Sequence, residues 1–105
     1  MSYLISFEEG FLSEFRRIIE WCHATDQQRY AERLSLSLTN LVQVLETHHR
    51  RYPLLRPNPT GKEFRRAKLL NYVLIYEVLP ESGDVTIIAI QHERANLSRL
   101  IEDIS

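Results

Sequence analysis

Residues 64–94 carry three strand-like runs with almost no chain between them, and this constrains the fold more than any other feature. Phe64-Arg-Arg-Ala-Lys-Leu-Leu is followed by Tyr72-Val-Leu-Ile-Tyr-Glu-Val-Leu79, then by a Pro80-Glu-Ser-Gly-Asp84 turn and Val85-Thr-Ile-Ile-Ala-Ile-Gln91. Such short links leave only an antiparallel meander. In the first run Phe64, Arg66, Lys68 and Leu70 alternate with Arg65, Ala67 and Leu69. The next two runs are apolar at nearly every position, which marks them as central and covered on both faces. His92-Glu93-Arg94 follows where the last strand ends, and side chains at a strand end are held firmly yet reach solvent or a ligand.

Upstream, residues 3–7 read as a short strand with Tyr3, Ile5 and Phe7 on one face. Ser6 is the candidate start of a helix, with Glu8 and Glu9 complementing its dipole and Gly10 sitting awkwardly in the first turn. Phe11, Phe15, Ile18, Ile19 and Cys22 then form one buried stripe. Asp26 is the candidate N-cap of a second helix running to about His49, with Tyr30, Leu34, Leu38, Leu41, Val42 and Leu45 inward. Two amphipathic helices joined by a few polar residues predict an antiparallel hairpin. Burying each leucine of these stripes contributes roughly 1.5–3 kcal/mol before entropy is counted. Pro53, Pro57, Pro59 and Gly61 break regular structure between the hairpin and the meander. Asn96 is a candidate cap for a short C-terminal helix carrying Leu97, Leu100, Ile101 and Ile104, which folds back on the sheet or docks on a partner. The uncovered sheet face calls for a tail or a second chain, so a homodimer is a further expectation.

The expected class is therefore α+β in one domain, residues 1–105. At 44% hydrophobic residues the chain has enough apolar material for a core, and no apolar run is long enough to span a bilayer. The N-terminus turns acidic too early for a secretory signal, so a cytoplasmic location is expected. Cys22 stands alone in an apolar stripe and reads as a small core side chain. His48 and His49 are adjacent rather than one helical turn apart, so no metal site is expected, and no motif calls for a cofactor.

The net charge is −1, yet Arg50, Arg51, Arg56, Lys62, Arg65, Arg66 and Lys68 are seven of the 13 Lys and Arg residues. Each alone is an ordinary solvated charge. Together they create a positive field suited to a phosphate backbone or to an acidic protein.

A strand, a helical hairpin, a basic connection, a three-strand meander and a strand-end His-x-Arg resemble the RelE/ParE superfamily of toxins from type II toxin–antitoxin modules. Tyr72-Val-Leu-Ile-Tyr-Glu-Val and Ile90-Gln-His-Glu-Arg94 are similar to the family's Tyr-Arg-Ile-x-Tyr-x-Val and terminal His-Gly-Arg, the pattern of the ParE branch, whose members are often labelled plasmid stabilisation proteins. The resemblance implies a cognate antitoxin as partner, with operator DNA contacted only through it. It also implies one of two activities: inhibition of DNA gyrase without catalysis, or metal-independent cleavage of mRNA on the ribosome. Under the nuclease reading Arg65, Arg66 and Lys68 would stabilise charge, His92 would act as acid or base, Arg94 would clamp phosphate, and Tyr76 would stack on a base. Val73 stands where the family's nucleases carry a catalytic Arg, so the ParE-like, non-enzymatic reading leads. A non-toxic binding module of the same fold is the third. Each residue also has a plain reading: Tyr76 as a core aromatic with a bonded hydroxyl, His92 as a cap on the sheet, Arg94 paired with Glu93, Glu102 or Asp103. All the functional readings require the basic strand, His92 and Arg94 to share one rim of the sheet.

Overall fold

The computed structural model describes residues 2–56 and 58–94. The chain runs β1 (Leu4–Phe7), α1 (Glu9–Ala24), α2 (Gln28–His48), β2 (Phe64–Leu69), β3 (Tyr72–Leu79) and β4 (Asp84–His92). The strands form one sheet in the order β1-β4-β3-β2. The meander is antiparallel, as its links dictate, while β1 joins it parallel to β4, with Leu4 opposite Asp84 and Phe7 opposite Ile87. The result is a four-stranded mixed sheet with the helical hairpin on one face. The helix expected from Asn96 lies outside the described residues. No helix among the described residues is long and apolar enough to cross a membrane.

The helices pack as their stripes require. Phe11, Ile18 and Cys22 of α1 and Ala31, Leu34, Leu41 and Leu45 of α2 are buried against Ala67, Leu69, Leu74, Tyr76, Val78, Val85, Ile87 and Ile90 of the sheet. Their starts differ from expectation. Ser6 stays in β1, its hydroxyl 3.3 Å from that of Thr86, and Glu8 is the cap residue of α1. The Glu8 N–H bonds the Ile87 carbonyl, so β1 pairing holds the chain extended two residues longer than the helix signal implies. Asp26 is not the cap of α2 either. It adopts φ 62°, a left-handed conformation that short polar side chains tolerate, and reverses the chain between the helices, while Gln27 occupies the cap position. Leu70, expected at the end of β2, instead takes φ 56° in the hairpin turn, where Leu69 pairs directly with Tyr72.

The second sheet face carries its own small core. Phe64 and Ile75 bury Leu55 between them, with Val73, Ile88 and Ala89 packed around. Leu55 arrives because the proline-rich connection runs beside β2: the Leu55 N–H bonds the Phe64 carbonyl, and the Arg66 N–H bonds the Pro53 carbonyl. Proline lacks a donor but its carbonyl can still accept, which fits it to this edge position. Part of the covering expected from a tail or second chain is thus supplied from within.

Candidate functional site

The register of the sheet sorts the basic strand into two faces. Ala67 and Leu69 point toward the helices, so Arg65, in phase with them, shares that side, while Arg66 and Lys68 project from the outer face. Cross-strand pairing then sets two outward rows, Lys68–Val73–Gln91 and Arg66–Ile75–Ala89. Beside them a groove of about 350 Å³ is lined by Tyr52, Pro53, Arg66, Ala67, Lys68 and Val73. Its floor is apolar and two cations stand on its rim. Lys68 Nζ lies 3.3 Å from a carboxylate oxygen of Glu93, and among the described residues Arg66 makes no ion pair.

Arg65 does not belong to this surface. Its Nε donates to Glu63 at 2.8 Å and its Nη1 donates to the Tyr52 carbonyl at 2.7 Å. Glu63 also receives Arg50, through Nε at 3.0 Å and Nη2 at 2.9 Å. This Arg50–Glu63–Arg65 cluster pins the connection to the end of α2. The Arg50 and Arg65 guanidiniums hold the Glu63 carboxyl below its ordinary range, against a partial opposing push from burial.

Tyr76 is also structural. Its ring is fully buried among the helix-side core residues, so no base can stack on it. Its hydroxyl donates to the His49 carbonyl at 2.7 Å, and burial pushes the phenol well above its usual range. A buried hydroxyl needs such a partner. His49 in turn stacks on Tyr3, ring centroids 3.8 Å apart and 22° from parallel. Burial, then the neighbouring Arg50, lowers the His49 pKa, and its Nδ1 is buried without a partner among the described residues.

His92 pairs with Tyr72 and packs its ring edge-on against the tyrosine at 5.6 Å, on the helix side of the sheet. Its Nδ1 accepts the Arg94 N–H at 3.2 Å, which leaves the proton of a neutral imidazole on Nε2. A second groove of about 430 Å³ opens here between Gly10 and Glu14 of α1 and residues 88–92 of β4. Beyond Ile87, β1 has already turned into α1, and this leaves the strand edge uncovered.

The expected common rim therefore forms only in part. Lys68 reaches residue 93, but His92 lies across the sheet from Arg66 and Lys68, Arg65 is committed to Glu63, and Tyr76 is enclosed. In the row nearest the strand end, Val73 separates Lys68 from Gln91 and adds no charge. The outer face thus combines an apolar groove with two rim cations, one of them paired with Glu93, an arrangement suited to binding an apolar and charged surface.

Sequence reasoning gave Tyr52 no role, did not place Glu63 in a cluster, and offered Glu93 to Arg94 where the structure pairs it with Lys68. Glu63, the single acid within the basic segment, was the available signal for a charge cluster. Tyr52 carried none, and nothing in the sequence pointed Glu93 to Lys68, because these placements depend on how the connection and the strand end fold back.

The residues matched by the family model for the ParE toxin of the type II toxin–antitoxin system parDE are 5–97. Solved structures with the same fold include a double arginine-to-alanine mutant of the E. coli toxin RelE in the free state, 25% identical with TM-score 0.61 over 100% of both chains. The chromosomal ParDE system from P. aeruginosa is 12% identical with TM-score 0.66, covering 87% of this chain and 96% of that one. The archaeal RelE–RelB complex from Pyrococcus horikoshii OT3 is 17% identical with TM-score 0.61, covering 90% of this chain and 100% of that one. No curated protein matches the chain. By the extent of the family match and the shared fold, the chain belongs to the ParE toxins of type II toxin–antitoxin systems.

Proposed function

We propose that this toxin acts by binding an essential protein machine, DNA gyrase by analogy with the ParE branch, and does not itself cut RNA. The observation that carries this reading is the row Lys68–Val73–Gln91, with His92 on the opposite side of the sheet. RNA cleavage without a metal needs a base, an acid and cations converging on one phosphate. Here the outward cations face an apolar groove, and the imidazole is turned toward Tyr72 and α1. A cognate antitoxin neutralises the toxin in this reading, as the ParDE and RelE–RelB complexes among the structural relatives suggest, and contacts operator DNA on behalf of the complex.

The test is induction of this chain alone in bacteria, beside His92→Ala and Arg94→Ala variants, together with a supercoiling assay on purified gyrase. Filamentation with DNA-damage signalling and loss of supercoiling, retained in His92→Ala, is the expected result. Rapid loss of translation with cut messages, abolished by either substitution, overturns the reading in favour of a nuclease. Healthy growth on induction removes toxicity and leaves a binding module.

A further inference from the structure

The Lys68–Glu93 pair decides what class of partner the outer groove accepts. We propose that Glu93 is a specificity determinant: its carboxylate, held against Lys68, keeps phosphate backbones off the Tyr52–Val73 groove and reserves it for an acidic, apolar protein segment. The inference rests on the protein-target reading above.

Three features of the outer face support it. Pro53, Val73 and the half-buried Tyr52 give the groove its apolar lining, surfaces that suit an apolar side chain and give nothing to a sugar-phosphate chain. Its cations are Arg66 and Lys68. Glu93 already places one carboxylate at 3.3 Å from Lys68, so the free protein carries there the contact that an aspartate or glutamate of a partner would make. A partner carboxylate replaces Glu93 one for one, a near-even exchange at an exposed pair. A polyphosphate can make the same exchange, but it then lays a charge at every nucleotide beside the displaced Glu93 carboxylate. It must lie along a rim where a fixed negative charge cancels half of the positive charge, and its affinity depends on the number of uncancelled cations.

Glu93 is held in place by the backbone as well as by Lys68. The Glu93 N–H bonds the Asn71 carbonyl in the turn between β2 and β3, so the residue continues the β4 edge and stays beside Lys68.

The experiment measures binding of a fluorescent single-stranded oligouridylate to the full chain by anisotropy across salt concentrations. The variants are Glu93→Gln, Glu81→Gln and the double Glu93→Gln/Lys68→Met. Glu81→Gln makes the same charge change at the exposed far turn. Freeing one cation should steepen the slope of log K against log salt by about 0.7, which is about 8-fold tighter binding at about 50 mM salt and about 3-fold at about 200 mM, relative to a common limit near 1 M. Glu81→Gln should move binding less than about 2-fold, since its charge lies far beyond the screening length from Lys68. The double variant should return to the parent. Equal gains in the Glu93 and Glu81 variants, or a double variant that stays tight, overturn the proposal. Gyrase inhibition by the same preparations is read separately, so an inert parent in that assay defeats the protein-target reading while the oligonucleotide series still judges Glu93.

Discussion

Replacing Tyr76 with Phe tests whether this tyrosine serves the core or a ligand. The ring is fully buried and its hydroxyl makes one hydrogen bond, 2.7 Å to the His49 carbonyl at the end of α2. Phenylalanine keeps the ring and its packing, so no apolar contact is lost. What remains is a half-buried carbonyl without its donor, and partial access to water keeps the cost at the lower end, about 1–2 kcal/mol. For a domain near this size each kcal/mol moves Tm by about 4–8 °C, so a loss of about 1–2 kcal/mol lowers Tm by about 4–16 °C. Urea unfolding followed by circular dichroism reads the difference, with an unchanged slope expected because the exposed area barely changes. Tyr30→Phe is the matched control. Its hydroxyl only accepts the Asn71 N–H at 3.4 Å from a half-buried position, and its loss should stay within about 0.5 kcal/mol. A Tyr76→Phe protein as stable as its parent refutes the structural account, all the more so if toxicity falls while stability holds.

Acid should unfold the protein in two stages. The folded His49 pKa lies below the ordinary 6.5, so the unfolded chain binds this proton more tightly; stability is full above 6.5 and declines as pH falls through it. The folded Glu63 pKa lies below the ordinary 4.5, so its contribution is present above 4.5 and is lost as pH falls through the lowered value. Urea midpoints from neutral to acid pH should therefore fall first with His49 and then with Glu63. Glu63→Gln should flatten the second stage and deepen the first, because the Glu63 charge favours protonated His49 in the fold, and a midpoint independent of pH in both proteins refutes the assignment. Leu55→Ala should cost about 2–5 kcal/mol, because Leu55 fills the outer core between Phe64 and Ile75, and thermal unfolding checks this. A loss below about 1 kcal/mol would mean that the connection does not cover that face.

Hydrophobic periodicity, with two nearly unbroken apolar runs bounded by turns, was enough to find every described helix and strand, because burial selects apolar residues where an element meets the core. The stripe on α1, the longer stripe on α2 and the tight links of the meander all reflect this local rule. The Ser6 and Asp26 capping expectations failed because a side chain's capacity to cap does not set backbone φ; pairing with Ile87 and the reversal between the helices did. The parallel partnership of β1 and β4 joins residues about 80 apart in the chain, and no local pattern encodes it.

What the residues determined by themselves is an α+β chain with a basic connection and a polar strand end. What only the tertiary structure decided is which of those polar groups meet. A strand turns alternate side chains to opposite faces, so neighbours in sequence such as Arg65 and Arg66 separate, one to Glu63 near the end of α2 and one to the open groove. The bulge between Ile75 and Tyr76 further shifts the register of β4. Lys68 and Glu93, 25 positions apart in the sequence numbering, come within 3.3 Å because the meander brings both to one end of the sheet. Charge and composition were local facts, and their juxtaposition required the fold.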